Sequence, residues 1–447
     1  MKNYDIVIIG GGPAGVQAAV SARNSNRGKK IALVRKEKVA LVPCGIPYTL
    51  HSLNSVDENI MPDTLLEKNE IDIIIGEVED KKDKTLILKG GSELGYDKLV
   101  LASGSKPIKP PIPGIDNDKI YVVSKDYDYL KKLRSDIDTA KSVVIVGGGY
   151  VGIELADELA NRGLDVTLVE KMPDLLPASV DPEFGSAVQA ELERQGVNVI
   201  TGIGVNAFSP SGGNIKVELD TGDFHEAEYV IVSIGFKPDI SLARKFGLET
   251  DEKFGILADE FMRTSDDDIF AAGDCVAKRS HLVGDYRRIM LASTAMSQGR
   301  LAGSNLYSVR VLKVFSGTMG SFATKIGNVA VGATGLTETR AKAMKLEYDV
   351  GVAESVDHHP AKLRNASKMN IKLLFSKNSH VLLGAQLTGG DSVGECVNML
   401  AVMIHNNMTA MEIDTLQIGT HPLLTPSPLG YGVITATVDA ILKWYDK

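Results

Sequence analysis

Two stretches of the chain share one rhythm of apolar and small residues. In the first, an apolar run after Tyr4 meets three glycines, and a helix rich in small residues is predicted over residues 16–23. In the second, the run after Ser142 meets three more glycines, and a helix is predicted over residues 153–161. Continuous β-branched runs such as residues 143–146 predict strands buried on both faces, as in a parallel sheet. Each unit continues into a second apolar strand, over residues 31–34 and 166–169. The repetition predicts two Rossmann-like dinucleotide-binding folds in one α/β chain.

Between them, residues 99–114 carry an apolar strand through Ala102-Ser103-Gly104 into a proline-rich stretch that reads as a crossover. A parallel feature with Gly235 closes the second fold, and the segment ending Ala272-Gly273-Asp274-Cys275 returns the chain to the first. From about residue 320 the texture changes. Alternating patterns predict strands over residues 329–333, 370–375 and 381–387, and helices over 393–405 and 432–444. The expected division is 1–115 and 245–320 for the first fold, 116–244 for the second, and 321–447 for an α+β C-terminal domain.

A length of 447 residues agrees with several domains rather than one core. A net charge of −8 and a pI near 5.6 argue against nucleic acid or an anionic membrane as the main partner. No apolar run reaches the length needed to span a bilayer, and the N-terminal residues lead straight into a strand without a signal-peptide pattern. A cytoplasmic location is therefore expected. The three cysteines are too few and too scattered for a disulfide scaffold, and no cysteine–histidine cluster suggests a metal.

The chemistry starts in the glycine turns. Gly10, Gly12 and Gly15 have the spacing in which the first glycine makes a tight turn, the second admits a pyrophosphate and the third lets the helix pack. Pro13 and Ala14 complete the turn. Gly147, Gly149 and Gly152, with Tyr150 and Val151, repeat it. In each, the helix N-terminus offers N–H groups to phosphate. The residue ending each second strand then selects the nucleotide. Glu170 can accept from both ribose hydroxyls and would repel a 2′-phosphate, so NADH is expected, with NADPH as the weaker alternative. The corresponding residue of the first fold is Arg35, which reads either as a solvated strand-end charge or as a ligand contact. Glu37 or backbone groups would then serve the ribose.

Cys44 lies in Pro43-Cys44-Gly45-Ile46-Pro47-Tyr48. Flanking proline and glycine define a turn that packing alone does not need, and a helix beginning beyond it would favour the thiolate. Cys275 and Cys396 read as packing residues. With no second cysteine four or five residues away, Cys44 would act as a sulfenate, a persulfide or a mixed disulfide. Adjacent His358 and His359 read as a solvated loop.

Together these motifs resemble the pyridine nucleotide-disulfide oxidoreductase superfamily over nearly the full length. The chain is most similar to its single-cysteine branch of coenzyme A disulfide reductases, NADH oxidases and persulfide reductases. The resemblance implies FAD in the first fold with Gly273 and Asp274 at its ribityl and phosphate groups, and NADH in the second. It also implies coenzyme A as a candidate ligand, Arg300 as a substrate contact and a homodimer through the C-terminal domain. Where the family's peroxidases and many water-forming oxidases carry a histidine in the first turn, this chain has Pro13. Where coenzyme A disulfide reductases carry tyrosines, it has Lys362 or Leu363, and His421. His421-Pro422 is similar to the pair in two-cysteine reductases whose histidine exchanges protons, with Pro426 near the place of its acidic partner. Tyr431 is a further acid candidate. The implied activity is NAD(P)H-dependent reduction of a small disulfide, persulfide or polysulfide. Oxygen reduction, and electron delivery to a protein partner, are the alternatives.

Overall fold

The computed structural model describes residues 2–310 and 312–445. They form two compact units. One is built from residues up to Lys109 with Val122–Thr139 and Gly235–Thr318, the other from Pro110–Tyr121, Ala140–Ile234 and residues from Met319 on.

The first unit centres on a five-stranded parallel sheet in the order Ile269–Ala271, Lys98–Leu101, Ile6–Ile9, Ile31–Arg35, Asp72–Ile75. Every residue of Ile6–Ile9 and Ile31–Arg35 is buried, because alternate side chains enter cores on opposite faces of the sheet. Ile6, Ile8 and Leu33 meet the alanines of helix Pro13–Ser25, while Val7, Ile9 and Val34 join Leu86, Leu101 and Phe246. Helix Ala292–Asn305 packs closely on Pro13–Ser25. A Cβ on Gly303 would come within 2.1 Å of the Ala18 carbonyl oxygen, so only glycine permits the contact.

The second unit repeats the scheme, with parallel strands in the order Tyr229–Val232, Ser142–Val146, Asp165–Glu170, Asn198–Thr201. The same unit holds a five-stranded antiparallel sheet, in the order Phe322–Ile326, Val329–Gly335, Leu382–Gly389, Lys368–Ser376, Tyr348–Val356. Helices Val393–His405 and Gly432–Tyr445 accompany it. Buried Asp181, which precedes helix Pro182–Arg194, fixes the start of that helix to the antiparallel sheet. It accepts from Gln386 Nε2 at 2.6 Å and Lys372 Nζ at 3.0 Å. Burial opposes its charge, yet bonds from Thr339, Gln386 and Lys372 hold the carboxyl down to about 2. Among the described residues no helix is long and apolar enough to cross a membrane.

Candidate active site

The two glycine turns have nearly the same geometry. Gly10 has φ +119° and Gly147 φ +112°, a left-handed conformation that favours glycine. A Cβ on Gly10 would lie 2.1 Å from the Ala102 carbonyl oxygen, and one on Gly147 2.6 Å from that of Ser233. Gly15 and Gly152 sit so close to the oxygens of Gly10 and Gly147 that a Cβ would fall within 1.9 and 1.8 Å. Gly12 and Gly149 differ, since nothing lies within 4 Å of where their Cβ would be. Each precedes a helix, Pro13–Ser25 or Tyr150–Asn161, whose N-terminus no side chain caps. Open space beside uncapped N–H groups suits a pyrophosphate.

Around the first turn, Ser105 Oγ donates to Asp274 at 2.9 Å and Lys125 Nζ lies 3.3 Å from the same carboxylate oxygen. Gln298 is fully buried, its Oε1 accepting from the Gly273 N–H at 3.1 Å while its Nε2 has no partner among the described residues. An orphaned buried donor beside such a turn fits an oxygen-rich nucleotide. Ser103 and Gly104 bond instead to Asp239, and Gly235 bonds to Ile108. They shape the crossover ribbon Ser105–Pro107 with Phe236–Pro238.

Arg35 is not the solvated charge the sequence allowed. It is buried at 4% exposure and paired with Asp63 through two bonds of 2.6 and 2.7 Å, while two further donors reach the carbonyls of Glu37 and Lys38. The guanidinium is thereby committed to the protein. Glu37, half-buried, stays the nearby acceptor. Glu170 is also buried, with Oε2 accepting from Gly148 N–H at 2.6 Å and Oε1 from Met172 N–H at 2.7 Å. Each oxygen retains a second lone pair for a ribose hydroxyl. Tyr150 packs on Phe322 with ring centroids 4.6 Å apart and bonds through its hydroxyl to Ser179. Val151 follows it in the first turn of the helix.

Cys44 is exposed, whereas Cys275 is buried and Cys396 half-buried. Burial pushes the Cys275 thiol up and that of Cys396 to about 12, so both are poor nucleophiles. The expected helix beyond Cys44 is two short 3₁₀ turns, Pro43–Gly45 and Pro47–Leu50, because Pro47 interrupts any longer run. The turn is nonetheless fixed. Buried Asn59 donates to the Val42 carbonyl at 3.0 Å, and a Cβ on Gly45 would strike its Oδ1 at 2.0 Å. Arg134 donates to the carbonyls of Thr49 and Leu53. Neither residue carries a signal in the local sequence.

In the second unit, His421 is exposed in the loop before helix Gly432–Tyr445, its Nδ1 accepting from the Leu423 N–H at 3.3 Å. This leaves Nε2 to carry the proton of the neutral ring. The histidine pair read as solvated is instead half-buried and bonded. His358 Nδ1 lies 2.7 Å from Asp357, and His359 grips the His421 loop through Thr425 and Pro422. Tyr431 Oη meets Met399 sulfur at 3.9 Å, and burial followed by the Cys396 thiol pushes its pKa up. A carboxyl unsignalled in the sequence, Glu154, is pushed up to about 7 by burial, despite a 2.6 Å bond from Thr324. Arg300 is exposed on helix Ala292–Asn305, in the same unit as Cys44. No group of three metal-ligating side chains occurs among the described residues.

Residues 4–299 match the family described as pyridine nucleotide-disulphide oxidoreductase, and residues 322–428 match its dimerisation domain. The chain belongs to that family. Family membership makes it an oxidoreductase with FAD and NAD(P)H as cofactors, and the two nucleotide folds with a C-terminal α+β domain are the fold expected of it. It is 32% identical to an NADH oxidase of Methanocaldococcus jannaschii, covering 99% of both chains. It is 30% identical to an NAD(P)H coenzyme A polysulfide/persulfide reductase of Pyrococcus horikoshii, covering 94% of this chain and 95% of that one. Among solved structures, an NAD-dependent persulfide reductase from A. fulgidus superposes with a TM-score of 0.91 at 30% identity, over 99% of this chain and 84% of that one.

Proposed function

We propose that this protein is an NADH-dependent reductase of a small disulfide, persulfide or polysulfide, working through Cys44. One observation carries the reading. Among three thiols Cys44 alone is exposed, and it is exposed on a turn that Asn59 and Arg134 hold rigid. The names of the P. horikoshii and A. fulgidus relatives support it.

FAD, when bound, accepts hydride from the nicotinamide and returns an electron pair to sulfur. Gly10, Gly12, Gly15, Gly273 and Asp274 hold it, with Glu37 toward the ribose. Gly149 admits the pyrophosphate of NADH, and Glu170 takes its ribose hydroxyls and disfavours a 2′-phosphate, so NADPH is the weaker donor. The Cys44 thiolate attacks one sulfur of the acceptor, forming a mixed disulfide and expelling a thiolate or hydrosulfide. An electron pair and a proton then restore the Cys44 thiolate and release the second thiol. The sum is one NADH and one proton consumed per disulfide cleaved.

His421 is the proton donor to the leaving thiolate, through Nε2, in a homodimer formed by the C-terminal domain. Exposed Leu423, Leu424 and Leu429 around it suit burial against a second copy. Tyr431 is the poorer acid, since its raised pKa makes the proton harder to release. Arg300 supplies a positive group for an anionic acceptor such as a coenzyme A derivative.

The identity to an NADH oxidase favours oxygen as a second acceptor. Pro13 offers no proton in the first turn, which weighs against efficient oxygen reduction. The test is anaerobic NADH turnover against coenzyme A disulfide, coenzyme A persulfide and polysulfide, with oxygen in parallel. Cys44→Ser should abolish the sulfur reactions; retained rates with all three would overturn the assignment.

A further inference from the structure

Lys278 is buried at 2% exposure, and its Nζ donates to the Gly273 carbonyl at 2.8 Å and the Val276 carbonyl at 3.0 Å. Among the described residues no carboxylate lies at ion-pair distance from it. Burying an ammonium without a contacting counter-charge is unfavourable, and burial pushes its pKa down, only partly offset by the Asp274 carboxylate, which is itself paired with Lys125. A methionine would fill the volume without that penalty. Nor does the Gly273 carbonyl depend on it, since that oxygen already accepts from the Val276 N–H at 3.0 Å. Hydrogen-bond satisfaction and packing therefore leave the charge itself unexplained.

Its place suggests the explanation. Gly273 has φ +90° and a Cβ there would come within 2.7 Å of Ala14 Cβ, so this loop lies tight against the first turn of helix Pro13–Ser25. Fully buried Gln298 holds the Gly273 N–H while Lys278 holds its carbonyl. The next residue is Asp274, already fixed by Ser105 and Lys125.

We propose that Lys278 is a positioning residue for the flavin nucleotide, and that its buried charge sets a positive potential in the cradle that favours the reduced cofactor. Reduction adds negative charge, and a fixed cation in a low-dielectric site stabilises that form more than the oxidised one. Gln298 is the neutral half of the brace and contributes to holding the loop, not to the potential. The inference rests on the reading that Gly12, Gly273 and Asp274 cradle FAD.

The test is the midpoint potential of bound FAD, by anaerobic equilibration with a reference dye, in wild type, Lys278→Gln, Lys278→Met and Arg279→Gln. Glutamine can still donate to carbonyls and lacks the charge, so it decides the matter if the methionine variant does not fold. Both Lys278 variants should retain FAD and shift to more negative potential, while Arg279→Gln, which removes an exposed charge from the same strand, stays at the wild-type value. A wild-type potential in FAD-loaded Lys278→Gln would overturn the proposal. So would an equal shift in Arg279→Gln, or loss of FAD from Lys278→Gln alone. Wild-type protein purified without FAD would instead defeat the cradle reading on which the proposal stands.

Discussion

The two nucleotide folds share a backbone turn and part at the residue ending the second strand. In the first, Arg35 is buried and committed to Asp63 and two carbonyls. In the second, Glu170 is buried and reaches back to the N–H of its own glycine turn at Gly148. Glu170 braces its glycine turn and keeps lone pairs for a ligand, whereas Arg35 ties down the loop after its own strand and offers no acceptor. The glycines thus leave room for a pyrophosphate in each fold, and on the proposed assignment the strand-end residue decides which ribose is read.

The sharpest way to break this comparison is at the turns. Gly10→Ala and Gly147→Ala each force a side chain into a left-handed backbone against a carbonyl oxygen, costing more than about 3 kcal/mol. Gly10→Ala should lose FAD, read as the flavin absorbance per chain. Gly147→Ala should keep FAD and fail to be reduced by NADH while still accepting electrons from dithionite. Equal cofactor loss in both would end the assignment of one nucleotide to each fold.

Next is the ion pair. Asp63→Ala strands a buried guanidinium, and because Asp63 is itself partly exposed the expected loss is at the lower end for a broken buried pair, about 3 kcal/mol in urea denaturation. Glu154 should give a smaller, pH-dependent effect. Its folded pKa of about 7 exceeds the ordinary carboxylate value, so its contribution is fully present below about pH 4.5 and is lost as pH rises through 7. Glu154→Gln should therefore raise stability by about 2 kcal/mol at pH 8 and change it little at pH 4.5, seen as a pH-dependent Tm difference. The smallest effect is expected from Glu170→Gln. It weakens the acceptor without emptying the site, and should raise the KM for NADH about tenfold, close to 1.4 kcal/mol, and narrow the preference over NADPH.

How much of this could be read from sequence depends on separation along the chain. The glycine turns and their strands are local patterns of a dozen residues, and the structure has them at the anticipated positions, as it has helix Val393–His405. Strands Phe322–Ile326 and Tyr348–Val356 are hard to read because polarity and burial disagree in them: Thr324 and Asp349 are buried while Ala323 and Val352 are exposed. Arg35 was ambiguous since its partner lies 28 residues on, and Asn59 and Arg134 brace the Cys44 loop from 15 and 90 residues away. Lys278 gave no signal at all, because a lysine near a strand end is ordinarily solvated and only the fold shows it enclosed. Long-range polar partners, rather than the apolar pattern, were the invisible part.

The central claim is that electrons pass through the Cys44 sulfur, and thiol labelling reads this directly. Protein treated with coenzyme A disulfide should resist iodoacetamide at Cys44, now capped as a mixed disulfide, and one equivalent of NADH under anaerobic conditions should restore labelling there while Cys275 and Cys396 stay unlabelled. Labelling of Cys44 that is the same before and after NADH would contradict the account.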